Sequence, residues 1–139
     1  MLIVLDTNVL VSGSLNPFGT PGRILDLLLT GVIRIAYDDR ILAEYAEVLA
    51  RPRFGFDQRH VQVVLSRITS LGTRVTALPL PVERSQIPDP SDLPFAEVAI
   101  AGCVAALVTG NMAHFAFVPQ FEVLVLPPAA FLNELFDER

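Results

Sequence analysis

The stretch that decides the fold is "MLIVLDTNVLVSG", residues 1–13. Four apolar residues, Leu2 to Leu5, deliver Asp6, Thr7 and Asn8, and more apolar chain follows. Leu2 to Leu5 reads as a short strand, and a strand apolar at every position is buried on both faces. Thr7 or Asn8 can open a helix running to about Ser14. A carboxylate thus stands where a buried strand meets a buried helix. Burying an ionised carboxylate without a partner is very costly. Asp6 is therefore either a helix cap or a holder of something positive.

Reading outward, strand and helix signals keep alternating. "RILDLLLTG" (23–31) reads as a helix stopped by Gly31, after the turn-rich "NPFGTPG". "VIRIAY" (32–37) is a β-branched strand, and Asp38 or Asp39 caps the helix "RILAEYAEVLAR" (40–51), which Pro52 ends. Asp57 caps "QRHVQVVLSRITSLG" (58–72). "RVTAL" (74–78) is a third strand, and a proline-rich connection leads to the helix "FAEVAIAGC" (95–103). "AALVTG" (105–110) and "EVLVL" (122–126) complete the strands, and "PPAAFLNELFDE" (127–138) is a terminal helix. This order implies parallel βαβ units in a three-layer α/β/α sandwich of about five strands.

The 139 residues argue for one domain, spanning 1–139. Hydrophobic residues at 52% against 18% charged supply a core and exclude disorder. No apolar run reaches the roughly 20 residues that span a bilayer. No basic segment precedes the short apolar start, so no signal peptide is expected. The single cysteine, Cys103, reads as core and excludes an internal disulfide or a multi-cysteine zinc site. A cytoplasmic protein is the expectation. A net charge of −5 weighs against a simple nucleic-acid-binding module, which carries a basic face. It does not exclude an enzyme that meets phosphates through a bound cation.

In open parallel sheets, ligands sit beyond the carboxyl ends of the strands. That rule selects Asp6, Thr7 and Asn8, then Asp38 and Asp39, then Thr109, Gly110 and Asn111. Helix geometry adds two acids. Ile41, Leu42, Tyr45, Val48 and Leu49 form one stripe at about 100° per residue, with Glu44 on its edge and Glu47 nearly opposite. Asp92 lies one turn before an inward face containing Phe95, Ala96, Ala99 and Cys103, with Glu97 well off that face. Carboxylates gathered at one sheet edge raise each other's pKa values, and a hard divalent cation such as Mg²⁺ or Mn²⁺ relieves the repulsion. The chemistry this supports is phosphodiester hydrolysis.

"IVLDTNVLVSG", "EYAEVL", "DPSDLPFAEVAIAG" and "LVTGNMAHF", in this order, resemble the motifs of PIN-domain ribonucleases. The resemblance is closest to the branch of toxin components of toxin–antitoxin pairs. It implies a five-stranded parallel sheet with helices on both sides and Mg²⁺- or Mn²⁺-dependent endoribonuclease activity. It also implies an antitoxin partner and a homodimer or higher oligomer. By position, Asp6, Glu44 and Asp92 match the family's metal-binding acids, and Asn8 and Thr109 match the polar residues that orient them. Asn111 stands where many members carry a fourth Asp, and His114 where an acid often follows. Asn111 is therefore assigned to the metal shell, directly or through water. Asp89 and Glu97 are candidate substitutes for the missing acid, and the number of metals stays open.

Each site has a plainer reading. Asp6 and Asp92 could be caps, Glu44 a solvated helix residue, Asn111 a turn residue and His114 a packed or surface histidine. "RPRFGF" (51–56) is either an RNA-contacting patch or a helix-ending loop with an anchored Phe. A rival of another class is a catalytically weak PIN-like module that binds RNA or a partner protein. A receiver-like phosphotransferase ranks low, because the chain has ten Arg and no Lys.

Overall fold

The computed structural model describes residues 1–137. Five parallel strands form one sheet: β1 (Leu2–Leu5), β2 (Arg34–Tyr37), β3 (Thr73–Arg74), β4 (Ala106–Val108) and β5 (Val125–Leu126). Their order is β3-β2-β1-β4-β5. Six helices connect and flank them: α1 (Thr7–Leu15), α2 (Thr20–Leu29), α3 (Asp39–Leu49), α4 (Gln58–Leu71), α5 (Leu93–Ala101) and α6 (Pro128–Phe136). The expected α/β sandwich is thus the architecture observed. Among the described residues, no helix is long and apolar enough to cross a membrane.

Burial explains the sheet. Ile3, Val4, Ile35, Ala36, Leu107 and Val108 are wholly inaccessible, as parallel strands covered on both faces must be. Helix α2 meets α1, α4 and α6, whereas α5 lies against β1, β2 and β4. Right-handed crossovers from β1 to β2 to β3 put their helices on one face, and the return to β4 puts α5 on the other. The strand order reverses between β1 and β4. Their carboxyl ends therefore flank the crevice where open α/β sheets bind ligands. The Asp6 N–H donates to the Val108 carbonyl at 2.9 Å and closes the two strand ends together.

The structure corrects several expectations. Helix α2 begins at Thr20, one turn earlier than read, because Pro21 suits a first turn and Gly22 can pass the preceding loop. A Cβ on Gly22 would stand 2.2 Å from the Pro17 carbonyl oxygen. Strand β3 has only two residues, as an edge strand can, before the chain turns irregular. Cys103 is exposed rather than core: α5 stops at Ala101 and Cys103 follows with φ 48°, past the inward face. Short 3-10 turns at Pro52–Phe54, Pro90–Asp92 and Met112–Phe115 replace what reads as plain loop, and all three border the site.

Gly72 closes α4 against the neighbouring strand. A Cβ there would lie 2.3 Å from the backbone oxygens of both Ile35 and Ile68. Neither atom can yield without moving β2 or unwinding the helix end. Gly72→Ala is expected to cost about 1–3 kcal/mol, as other overpacking substitutions do. Urea unfolding measures this as a lowered midpoint at unchanged slope.

Candidate metal centre

Asp6 stands at the N-cap position of α1, yet its side chain does not cap the helix. Its Oδ2 instead accepts from the hydroxyl of fully buried Thr109 at 2.7 Å. That hydroxyl accepts in turn from the Asn111 N–H at 2.9 Å. The N–H occupies a lone pair of the Thr109 oxygen, so the hydroxyl proton is directed at Asp6. Burial raises the Asp6 pKa, and the Thr109 hydroxyl and the nearby amides of Thr7 and Asn8 oppose the rise.

Glu44 arrives on α3. The Asp38 side chain caps that helix, accepting from the Ile41 N–H at 3.0 Å. Ile41, Tyr45 and Leu49 form the buried stripe, Glu44 is half-buried at its edge, and exposed Glu47 pairs with Arg51 at 2.8 Å. Two consecutive residues of α3 are tied to the junction of β1 and α1. The Thr7 hydroxyl donates to Glu44 Oε2, and the hydroxyl of fully buried Tyr45 donates to the Leu5 carbonyl. Burial raises the Glu44 pKa, and neighbouring Asp6 adds to the rise. Burial, aided by Asp6 and Glu44, lifts the Tyr45 phenol well above its ordinary value, so it stays a donor at neutral pH.

Asp92 ends the 3-10 turn that leads into α5 and, like Asp6, makes no cap. Its Oδ2 lies 2.9 Å from His114 Nδ1. Half-buried Asp89 accepts from the Ser91 N–H at 3.0 Å and the Ser91 hydroxyl at 2.8 Å, and the Ser91 N–H holds its carboxyl below the usual range. Asp89, Asp92 and His114 each offer one ligand atom, all within 4.8 Å of one another. Burial, reinforced by the Asp6 charge, pushes Asp92 up to about 6 against the opposing His114 hydrogen bond.

These elements surround an open cleft of about 300 Å³ lined by Asp6, Thr7, Asn8, Glu44, Asp92, Arg53 and Phe54, among others. Asp6, Glu44, Asp92 and Asn8 share this cleft, and Thr109 sits behind Asp6. Asn8 accepts from the Gly110 N–H at 3.4 Å, so it tethers the loop after β4 rather than the first acid. Asn111 reaches the site through its backbone N–H, and its amide is not among the lining groups. Glu97 is buried but taken by Arg40 at 2.7 Å, away from the cleft lining. Sequence reasoning missed the roles of Thr7, as holder of Glu44, and of Tyr45. A hydroxyl directly after Asp6, and a Tyr directly after Glu44, were the available signals.

Among the described residues, Asp89, Asp92 and His114 are the group whose ligand atoms lie close enough to share one ion, and Asp6 and Glu44 line the same cleft without joining that group. Carboxylates with one imidazole suit Mn²⁺ and related ions, and carboxylates alone suit Mg²⁺. Burial raises all three cleft acids, and the Asp6 charge adds to the rise at Glu44 and at Asp92.

For Asp92 the sign is clear. Its folded pKa of about 6 exceeds the ordinary 3.8, so the folded state binds the proton more tightly. Ionisation therefore costs stability, not at all below 3.8 and fully above about 6. Without metal, Asp92→Asn should melt higher than the wild type at pH 7.5, and the gap should shrink steadily towards pH 4. A gap independent of pH, in thermal melts with EDTA, would contradict the assignment.

A family model described as a PIN domain matches residues 2–113. No curated protein matches the chain. Among solved structures, the chain is similar to one in the crystal structure of VapBC2 from Rickettsia felis bound to a DNA fragment from their promoter. The two are 23% identical, with a TM-score of 0.60, over 91% of this chain and 98% of that one. That likeness is one of fold, and it agrees with the sheet order and the helix placement described above. The family match covers well over half of the sequence and all the cleft acids, so this chain belongs to the PIN-domain family.

Proposed function

We propose that the protein is a Mg²⁺- or Mn²⁺-dependent endoribonuclease, the toxin of a toxin–antitoxin pair. The observation that carries this reading is the shared cleft of Asp6, Glu44 and Asp92, which come from the end of β1, the middle of α3 and the start of α5. The three acids would hold the cation. His114 and Asp89, beside Asp92, offer donors for a second one. A bound divalent ion supplies polarisation of the scissile phosphate and a lowered pKa for an attacking water. Thr109 and Thr7 orient the Asp6 and Glu44 carboxylates through their hydroxyls, and Tyr45 fixes α3 against β1.

The substrate in this reading is RNA. The net charge of −5 fits a protein that meets phosphate through a cation rather than through a broad basic face. The fold likeness to a chain of the VapBC2 assembly supports an inhibitory antitoxin partner, and self-association to a dimer or higher oligomer belongs to the same reading. A cytoplasmic location follows from an RNA substrate and agrees with the lone cysteine.

RNA incubated with the protein and Mn²⁺ or Mg²⁺ should be cut, and EDTA should stop the reaction. Asp6→Asn should lower the rate roughly a hundredfold or more, since removing a charged ligand forfeits several kcal/mol. Thr7→Val, which leaves Glu44 in place but unheld, should cost about 10- to 100-fold. Equal rates for wild type and Asp6→Asn, or indifference to metal, would defeat the proposal. Calorimetry with Mn²⁺ separates it from a binding module: RNA retained without metal uptake would favour the module.

A further inference from the structure

The 3-10 turn that ends α3 builds a feature the metal chemistry does not use. Arg53 and Phe54 line the same cleft as Asp6, Glu44 and Asp92. The Arg53 guanidinium carbon sits 4.8 Å from the Phe54 ring centroid. Phe54 in turn stacks on Phe56, with centroids 5.4 Å apart and planes 14° from parallel. Gly55 makes this possible: its φ of 62° lies in the left-handed region and reverses the chain between the two rings. Phe56 packs against the hydrophobic core, whereas Phe54 is half-buried and is not among the side chains packed on it. Arg53 is exposed and makes no ion pair among the described residues. It is also the one cation among the residues lining the cleft.

Phe54 thus borders the cleft as a half-buried ring, backed by Phe56 and carrying the Arg53 guanidinium over it. The neighbouring guanidinium and the phosphodiester chemistry of the cleft together specify what fits. We propose that the Arg53–Phe54–Phe56 stack is a ledge for one unpaired nucleobase of an RNA strand whose backbone crosses the acidic cleft. This inference rests on the nuclease reading and sharpens it to single-stranded or unpaired substrate. The base takes the place over the Phe54 ring that the Arg53 guanidinium holds in the free protein, and Arg53 turns to the adjacent phosphate. Stacking on an aromatic ring tolerates any base, so the ledge positions the strand without reading its sequence. A base inside a duplex is already stacked on both faces and gains nothing there. Phe54 and Arg53 are positioning residues in this account, not catalytic ones.

The test is binding of a short single-stranded RNA carrying 2-aminopurine, in Ca²⁺, followed by fluorescence quenching. Wild type should quench the probe, and a duplex of the same sequence should compete poorly. Phe54→Ala should weaken binding roughly tenfold or more. Phe54→Tyr, which keeps the ring, should restore it, a rescue that loss of mere packing would not show. Arg53→Gln should lower the salt dependence by about one phosphate contact, a slope change of about 0.7. Phe54→Ala binding as wild type, Ala and Tyr variants behaving alike, a duplex competing equally, or no quenching in wild type would each overturn the inference. Cleavage assays stand apart from it. Phe54-dependent quenching without metal-dependent cleavage would remove the nuclease reading alone. Cleavage with an unchanged KM in Phe54→Ala would remove the ledge alone, and a KM raised at constant kcat would support it.

Discussion

The buried hydrogen bond from the Thr109 hydroxyl to Asp6 Oδ2, 2.7 Å long, governs the rest of the site. It joins the carboxyl ends of β1, the central strand, and its parallel neighbour β4, between which the strand order reverses. A buried carboxylate there would be intolerable without a donor. Thr109 supplies it, and the Asn111 N–H fixes which way the hydroxyl points. With Asp6 so held, the neighbouring acids are placed by reference to the same strand end. Thr7 holds Glu44, and Tyr45 bonds to the carbonyl of Leu5. The site is thus fastened to the most deeply buried part of the sheet rather than to mobile loops, which is how reacting groups are kept in register.

The cost of this arrangement is electrostatic. Asp6, Glu44 and Asp92 all titrate above their ordinary values, burial being the largest cause and the Asp6 charge a further one at Glu44 and Asp92. A structure that needed only capped helices would not accept this. Asp38 and Asp57 cap α3 and α4 with side-chain hydrogen bonds, whereas Asp6 and Asp92 stand at cap positions without one, Asp6 bonding to Thr109 instead. The contrast within one chain separates acids that serve folding from acids retained against folding. Glu97 falls on the folding side, since Arg40 neutralises it inside the protein.

Much of this could be read from the sequence, for identifiable reasons. Leu2–Leu5 followed by Asp6 has the pattern of a doubly covered strand, and that reading holds to the residue. Glu44 could be placed at the edge of the α3 stripe and Glu47 in solvent, because helix periodicity is local. What escaped depends on contacts between distant segments. The Asp92 to His114 contact spans 22 positions and needs a 3-10 turn that no pattern announces. The backbone role of Asn111 and the tethering of Asn8 to Gly110 follow from how the β1 and β4 ends meet, which composition does not reveal. Cys103 misled because it continues the apolar spacing of α5, but the helix has already ended at Ala101. The early start of α2 depends on Gly22 passing within reach of Pro17, a clearance visible only in three dimensions.

The stacked turn after α3 extends the same logic from ion to polymer: the sheet end organises charge, and the turn offers a surface on which a strand can rest. Both depend on the central claim that the cleft acids converge to hold a divalent cation. Anomalous scattering from a crystal soaked in Mn²⁺ addresses that claim most directly. The account predicts a peak in contact with carboxylate oxygens of Asp6 and Asp92. A well-ordered crystal with no peak there, or with manganese only at unrelated surface acids, would contradict it.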